Sequence, residues 1–230
     1  NLHEQHVTQA STVRLWGEAM KKRYWIALAV VFGGGGVLIS CAAKPQIAGG
    51  YDTQVDDHPW QVAIRVYHPE GYDRCGGILV ASQWILTAAH CFNGVTAANQ
   101  IMFVTGKTDI SLDYISNGQW FPIQNYFLLD CYTGKPDANG ILSNDVALVQ
   151  LPKPDPNWRE GALLLPGSSM PALKDLEVTG WGRTLIERYP EHLQGADVEF
   201  VDDATCKAAY PGSIQAAMLC AVTKDVGTCL

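Results

Sequence analysis

Two residues able to move protons stand out in the 230-residue chain. His90 falls at the end of Trp84-Ile85-Leu86-Thr87-Ala88-Ala89-His90-Cys91, and Asp145 lies in Asn144-Asp145-Val146-Ala147-Leu148. Imidazole titrates near neutral pH, so it can take a proton and return it. Hydrolysis of an amide needs such a base, together with a nucleophile and a donor site for the oxyanion. Each residue alone has an ordinary alternative: a core histidine, and an aspartate that caps a turn before a strand. The other five histidines, His3, His6, His58, His68 and His192, fall in no motif and are expected at the surface.

Seven cysteines (Cys41, Cys75, Cys91, Cys131, Cys206, Cys220 and Cys229) lack the close CxxC pairs of a zinc site. Their scatter fits disulfides in an oxidising compartment, and the odd total leaves at least one thiol free, modified or paired elsewhere. The net charge is −7. It becomes more negative without residues 1–40, which carry Arg14, Lys21, Lys22 and Arg23 against Glu4 and Glu18. Such a chain lacks the clustered cations that nucleic acid requires, so nucleic acid is excluded as a partner.

The elements that must position these residues are short strands. Val62, Ile64 and Val66 alternate with Ala63 and Arg65, the period of a strand. Further strands are expected at Ile78–Val80, Trp84–Thr87, Ile101–Thr105, Val146–Leu151, Leu176–Thr179 and Ala196–Val201, separated by turn residues such as Asp137-Ala138-Asn139-Gly140. A short helix is expected over Asp203–Tyr210, where Ala204, Ala208 and Ala209 favour it. The pattern is that of an all-β barrel or sandwich.

The first residues have the layout of an address. Residues 1–19 show no apolar period and are expected to be an upstream, non-native segment. Met20-Lys21-Lys22-Arg23 opens a basic region, followed by an apolar stretch from Tyr24 to Ile39 that is short for a membrane span. Residues 20–40 are therefore expected to be a signal peptide. Leu38-Ile39-Ser40-Cys41 resembles the lipobox of bacterial lipoproteins. That resemblance implies lipidation of Cys41, a membrane anchor, and a short linker over residues 41–46.

From Ile47 to Leu230, an ordered series of motifs resembles the chymotrypsin/trypsin family. It comprises Ile47-Ala48-Gly49-Gly50, Pro59-Trp60-Gln61-Val62, Cys75-Gly76-Gly77, the His90 and Asp145 segments, and Val178-Thr179-Gly180-Trp181-Gly182. Cys206-Lys207-Ala208-Ala209-Tyr210-Pro211-Gly212 and Met218-Leu219-Cys220-Ala221 complete it. The resemblance implies two six-stranded antiparallel Greek-key barrels over residues 47–230, the second incomplete in this chain. It makes His90 the general base and Asp145 the carboxylate that fixes its tautomer. It implies disulfides Cys75–Cys91 and Cys206–Cys220, and a partner for Cys229 beyond this chain, while Cys131 has no assigned partner. Leu176 replaces a cysteine common in the family. The substrate would be a protein or peptide, with no metal or organic cofactor.

The same resemblance makes Ile47 the N-terminus freed by activation. Gln46 precedes it where the family usually has Arg or Lys, so activation by a different protease or another trigger is expected. Gly227, with Thr228 beside it, would floor the primary pocket and favour apolar or small side chains. The nucleophilic serine is expected about three residues beyond Leu230, which leaves the 230-residue chain inactive by itself. The alternatives are a pseudoprotease acting as a binding module and a lipoprotein that displays a β domain without catalysis.

Overall fold

A computed structural model describes residues 50–111, 120–159, 176–182, 190–215 and 218–223, with the backbone of three further strands at 11–15, 24–28 and 162–163. The first strands are β1 (Ser11–Leu15), β2 (Tyr24–Leu28) and β3 (Tyr51–Asp52). There follow β4 (Gln61–His68), β5 (Gly71–Ala81), β6 (Trp84–Thr87), β7 (Ile101–Thr105), β8 (Phe121–Pro122), β9 (Asn125–Leu128) and β10 (Ala147–Gln150). The last are β11 (Ala162–Leu163), β12 (Leu176–Gly180), β13 (Gln194–Val201) and β14 (Cys220–Thr223). Among the described residues one α-helix occurs, α1 (Asp203–Ala209). Asp202 caps it by accepting the Thr205 N–H at 3.0 Å. The protein is all-β in class, as its alternating and turn-bounded segments lead one to expect.

The first sheet runs β8-β7-β4-β5-β6-β10-β9. Its two ends belong to one passage of chain, since only Ile123 and Gln124 separate β8 from β9. Ile123 N–H donates to Ile101 O at 3.3 Å, and Gln124 N–H donates to Gln150 O at 2.9 Å. One end of the passage thus bonds to β7 and the other to β10, and the sheet closes on itself. Six strands were expected here; the fifth in chain order is split in two where it changes partner. Closure removes the exposed edges that a flat sheet would present.

Strand β4 is buried on both faces. Val62, Ile64 and Val66 enter the barrel core with Leu79, Ile85, Ile101, Phe103 and Val149. Ala63, on the other face, packs with Val104, Ile110, Trp120, Trp181 and Leu193. Trp181 and Leu193 come from the later half of the chain, so that half covers a face which alternation alone would leave half-exposed.

The second sheet runs β11-β2-β1-β12-β13-β14, with β3 also paired to β13. Its pairings are antiparallel except β11 with β2, a two-residue parallel contact that departs from the expected all-antiparallel barrel. Strands β1 and β2 fall where the sequence suggests an upstream segment and a signal peptide. Thr12, Val13 and Arg14 pair with Thr179, Val178 and Glu177 along the side of β12 away from β13. A strand edge with unpaired N–H and C=O groups accepts any segment able to extend beside it, which accounts for that placement.

Candidate active site

Pairing of β6 with β10 brings the two candidate residues together. Ala147 lies opposite Thr87 at one end of the ladder. The chain leaves β6 through Ala88 and Ala89 to His90, and it enters β10 from Asp145 through Val146. Both residues therefore emerge at the same end of adjacent strands. A 3-10 turn over Ala89–Phe92 folds His90 back, and buried Ala88, Ala89 and Phe92 hold that turn against the core. Asn144 takes φ 58°, a left-handed conformation that asparagine tolerates better than most residues. Its Nδ2 donates to Cys131 O at 3.3 Å.

Asp145 grips His90 twice. Oδ1 accepts the His90 backbone N–H at 2.7 Å. Oδ2 lies 2.5 Å from the ring Nδ1. A carboxylate can only accept, so Nδ1 carries the proton and Nε2 is left as the lone-pair nitrogen of the neutral ring. The side chains of His90 and Asp145 are 7% and 2% exposed, so water competes little for this contact. The result is a base of fixed tautomer, which is what proton abstraction from a hydroxyl requires. Tyr132 lies close enough for the Asp145 charge to help raise its pKa, although burial is the larger cause. Its hydroxyl donates to Asn93 Oδ1 at 3.2 Å.

A disulfide joins Cys75 of β5 to Cys91, with Cα atoms 6.3 Å apart. It pins the residue next to His90 to the barrel wall, and Cys91 Sγ lies 3.7 Å from His90 Nε2. Cys75, Cys91 and His90 form a compact group of the kind that can hold a metal. Both sulfurs are consumed in the disulfide, however, and so cannot serve as thiolate ligands. A second disulfide joins Cys206 of α1 to Cys220 at the start of β14, Cα atoms 6.2 Å apart. Cys131 is a free, exposed thiol. Cys41, Ile47, Gly227, Thr228 and Cys229 lie outside the described residues.

One expectation is corrected. His58 is not a surface residue: it is 2% exposed. Its Nε2 lies 3.0 Å from Thr53 Oγ1 and 3.5 Å from Glu177 Oε1, and its ring meets the edge of Trp60 at 5.5 Å. Its position directly before Pro59-Trp60-Gln61 was the available signal, because Gln61 begins a strand buried on both sides.

Comparison with known proteins agrees with this geometry. The trypsin family profile matches residues 47–229. Anionic trypsin of Canis lupus familiaris is 30% identical over 202 residues, covering 84% of this chain and 74% of that protein. Cationic trypsin-3 of Rattus norvegicus is 33% identical over 179 residues, covering 76% of this chain and 66% of that protein. Trypsin of Squalus acanthias is 33% identical over 182 residues, covering 76% and 71%. The chain thus spans between about two thirds and three quarters of these relatives. With a barrel carrying a histidine oriented by a buried aspartate, and with a match over most of its length, the chain belongs to the trypsin family of serine endopeptidases.

Proposed function

We propose that the complete protein is an exported serine endopeptidase that cleaves proteins or peptides through an acyl-enzyme. The observation that supports this most directly is the double contact of Asp145 with His90. In this reading a serine hydroxyl, supplied by chain beyond residue 230, gives its proton to His90 Nε2 as its oxygen attacks the peptide carbonyl. The imidazolium, steadied by Asp145, then returns that proton to the departing amine. Water repeats the sequence to release the acid product.

The disulfides fit export through an oxidising compartment. Cys41 is proposed as a lipidated anchor following the signal peptide of residues 20–40. Ile47 is proposed as the terminus freed on activation, after Gln46 and by another protease or a different trigger. Because Cys41 lies upstream of Ile47, that cut would also release the domain from its anchor. Gly227 and Thr228 are proposed to shape a pocket for apolar or small side chains.

The test is to express the complete gene and treat the product with a serine-directed phosphonate. Labelling of one serine C-terminal to residue 230, lost on His90→Ala, is the expected result. A folded product that takes no label, or a gene without that serine, would transfer the reading to a binding module of the same fold.

A further inference from the structure

A small cavity opens where the first barrel meets the later half of the chain. Ala63 and Arg65 of β4, Arg74, Trp120, Trp181 and Gly182 are among the residues that line it. Arg65 is fully buried. Its Nη2 donates to Ile110 O at 2.9 Å, while Nε and Nη1 have no partner. Its guanidinium stacks 4.1 Å from the centre of the Trp120 ring and 4.9 Å from that of Tyr72. The Trp120 Nε1–H is buried and unpartnered as well. No carboxylate pairs with Arg65 among the described residues; the groups acting on it are the hydroxyl of Tyr67, which hydrogen-bonds to it, Tyr72, and another cation, Arg74.

A guanidinium stays protonated even when burial lowers its pKa, so its charge and two orphan donors need compensation. Aromatic faces supply part of it but accept no hydrogen bond along the N–H directions. What Arg65 Nε and Nη1 lack is an acceptor. The orphan groups on Arg65 and Trp120 are all donors: two on Arg65 and one on Trp120. Water accepts at most two hydrogen bonds and brings protons of its own to place. A bare anion brings no protons to place and neutralises the charge. The space suits about one particle the size of a water molecule, too little for a phosphate or a substrate.

We propose that this cavity is a binding site for a small monatomic anion of the chloride class, seated on the free N–H groups of Arg65. The lining comes from both halves of the chain, Arg65 and Trp120 on one side and Trp181 and Gly182 on the other. The anion therefore fastens the halves together beneath Cys75, whose disulfide partner adjoins His90.

The test uses the complete protein at constant ionic strength, with chloride replaced by gluconate, which is too large to enter. Chloride at a few tenths molar should raise Tm by about 4 °C over gluconate. Arg65→Met should abolish that difference. As a check that does not depend on a variant folding, crystals of the unaltered protein grown in bromide should give an anomalous peak within hydrogen-bonding distance of Arg65 Nε or Nη1. Equal Tm in the two salts, or a water or a carboxylate of the chain at that position in place of bromide, would overturn the proposal.

Discussion

Asp145 holds His90 by both of its oxygens, one on the backbone N–H at 2.7 Å and one on the ring Nδ1 at 2.5 Å. The backbone contact fixes where the residue sits, and the ring contact fixes which nitrogen is free. Neither oxygen is available to water, because the Asp145 side chain is 2% exposed. In the proposed mechanism the aspartate is therefore a positioning group acting through the imidazole.

Asp145→Asn separates these roles. The amide oxygen can still accept the backbone N–H, so the fold should persist. Its NH2 then faces Nδ1 and obliges that nitrogen to accept, which moves the ring proton to Nε2 and blocks proton abstraction. In the complete protein kcat should fall roughly ten-thousand-fold, the size this exchange has in well-studied members of the family. An unchanged circular dichroism spectrum together with that loss is the expected result. A loss below about tenfold would show that the tautomer lock is not what His90 depends on.

The Cys75–Cys91 bridge closes a sequence separation of 16 residues. Chain-entropy arguments put the stabilisation from a loop of that size at about 3 kcal/mol. Cys75→Ala with Cys91→Ala should lower the stability measured by urea unfolding by that order. It should also lower kcat, since Cys91 adjoins His90, while α1 and its own bridge are untouched. A double variant that loses stability but keeps full kcat would mean that the turn carrying His90 is held by Ala88, Ala89 and Phe92 alone.

How far the sequence disclosed all this depends on what each residue needed. Strands such as Trp84–Thr87 and Ile101–Thr105 were legible to the residue, because inward apolar positions and flanking turns mark them locally. The nearness of His90 to Asp145 was legible only through the motifs around them, since they stand 55 positions apart and no periodicity links them. Arg65 carries no local sign of burial, and His58 has only its place before Pro59-Trp60-Gln61. Each is covered by residues far away in sequence, Trp120 over one and Glu177 near the other. The splitting of the fifth barrel strand follows from closure, a property of the whole sheet that no single segment encodes. The pairing of β1 with β12 likewise depends on a strand edge made elsewhere in the chain.

Tyr51 offers a test at alkaline pH. Burial, then hydrogen bonding to Glu177, raises its pKa well above the usual phenol value, and Asp197 adds to this. Its hydroxyl donates to Glu177 Oε1 at 2.9 Å and lies 3.3 Å from Asp197 Oδ1. A raised pKa means that folding favours the protonated phenol. The contribution is complete below pH ~10, where the unfolded phenol titrates, and is lost as pH rises through the higher folded value. Ultraviolet titration of the folded protein should therefore show Tyr51 still protonated near pH 11, and Tyr51→Phe should remove one late-titrating group from the nine tyrosines. Because Tyr51 is 43% exposed, the effect on stability at neutral pH should be slight. Identical titration curves for the two proteins would show that the acidic pair does not restrain this hydroxyl.

Gly77 tests whether strand spacing sets the position of the base. It lies in β5 opposite Thr87, the last residue of β6 before the turn that carries His90. A Cβ added there would lie 2.7 Å from Ile85 Cγ2 and 3.0 Å from the backbone oxygen of Leu86. The second contact is with main chain, which cannot rotate away as a side chain can. Gly77→Ala must then push β6 outward, and overpacking of this kind costs about 1–3 kcal/mol. Because β6 also pairs with β10, the push acts on both strands that deliver the site, His90 from one and Asp145 from the other. Urea unfolding should show the loss of stability, and kcat should fall while KM changes little, since the clash displaces the base and not the substrate. A normal kcat in a destabilised variant would mean that the double grip of Asp145 carries the pair along together, so that their mutual geometry survives a shift of the strands beneath them.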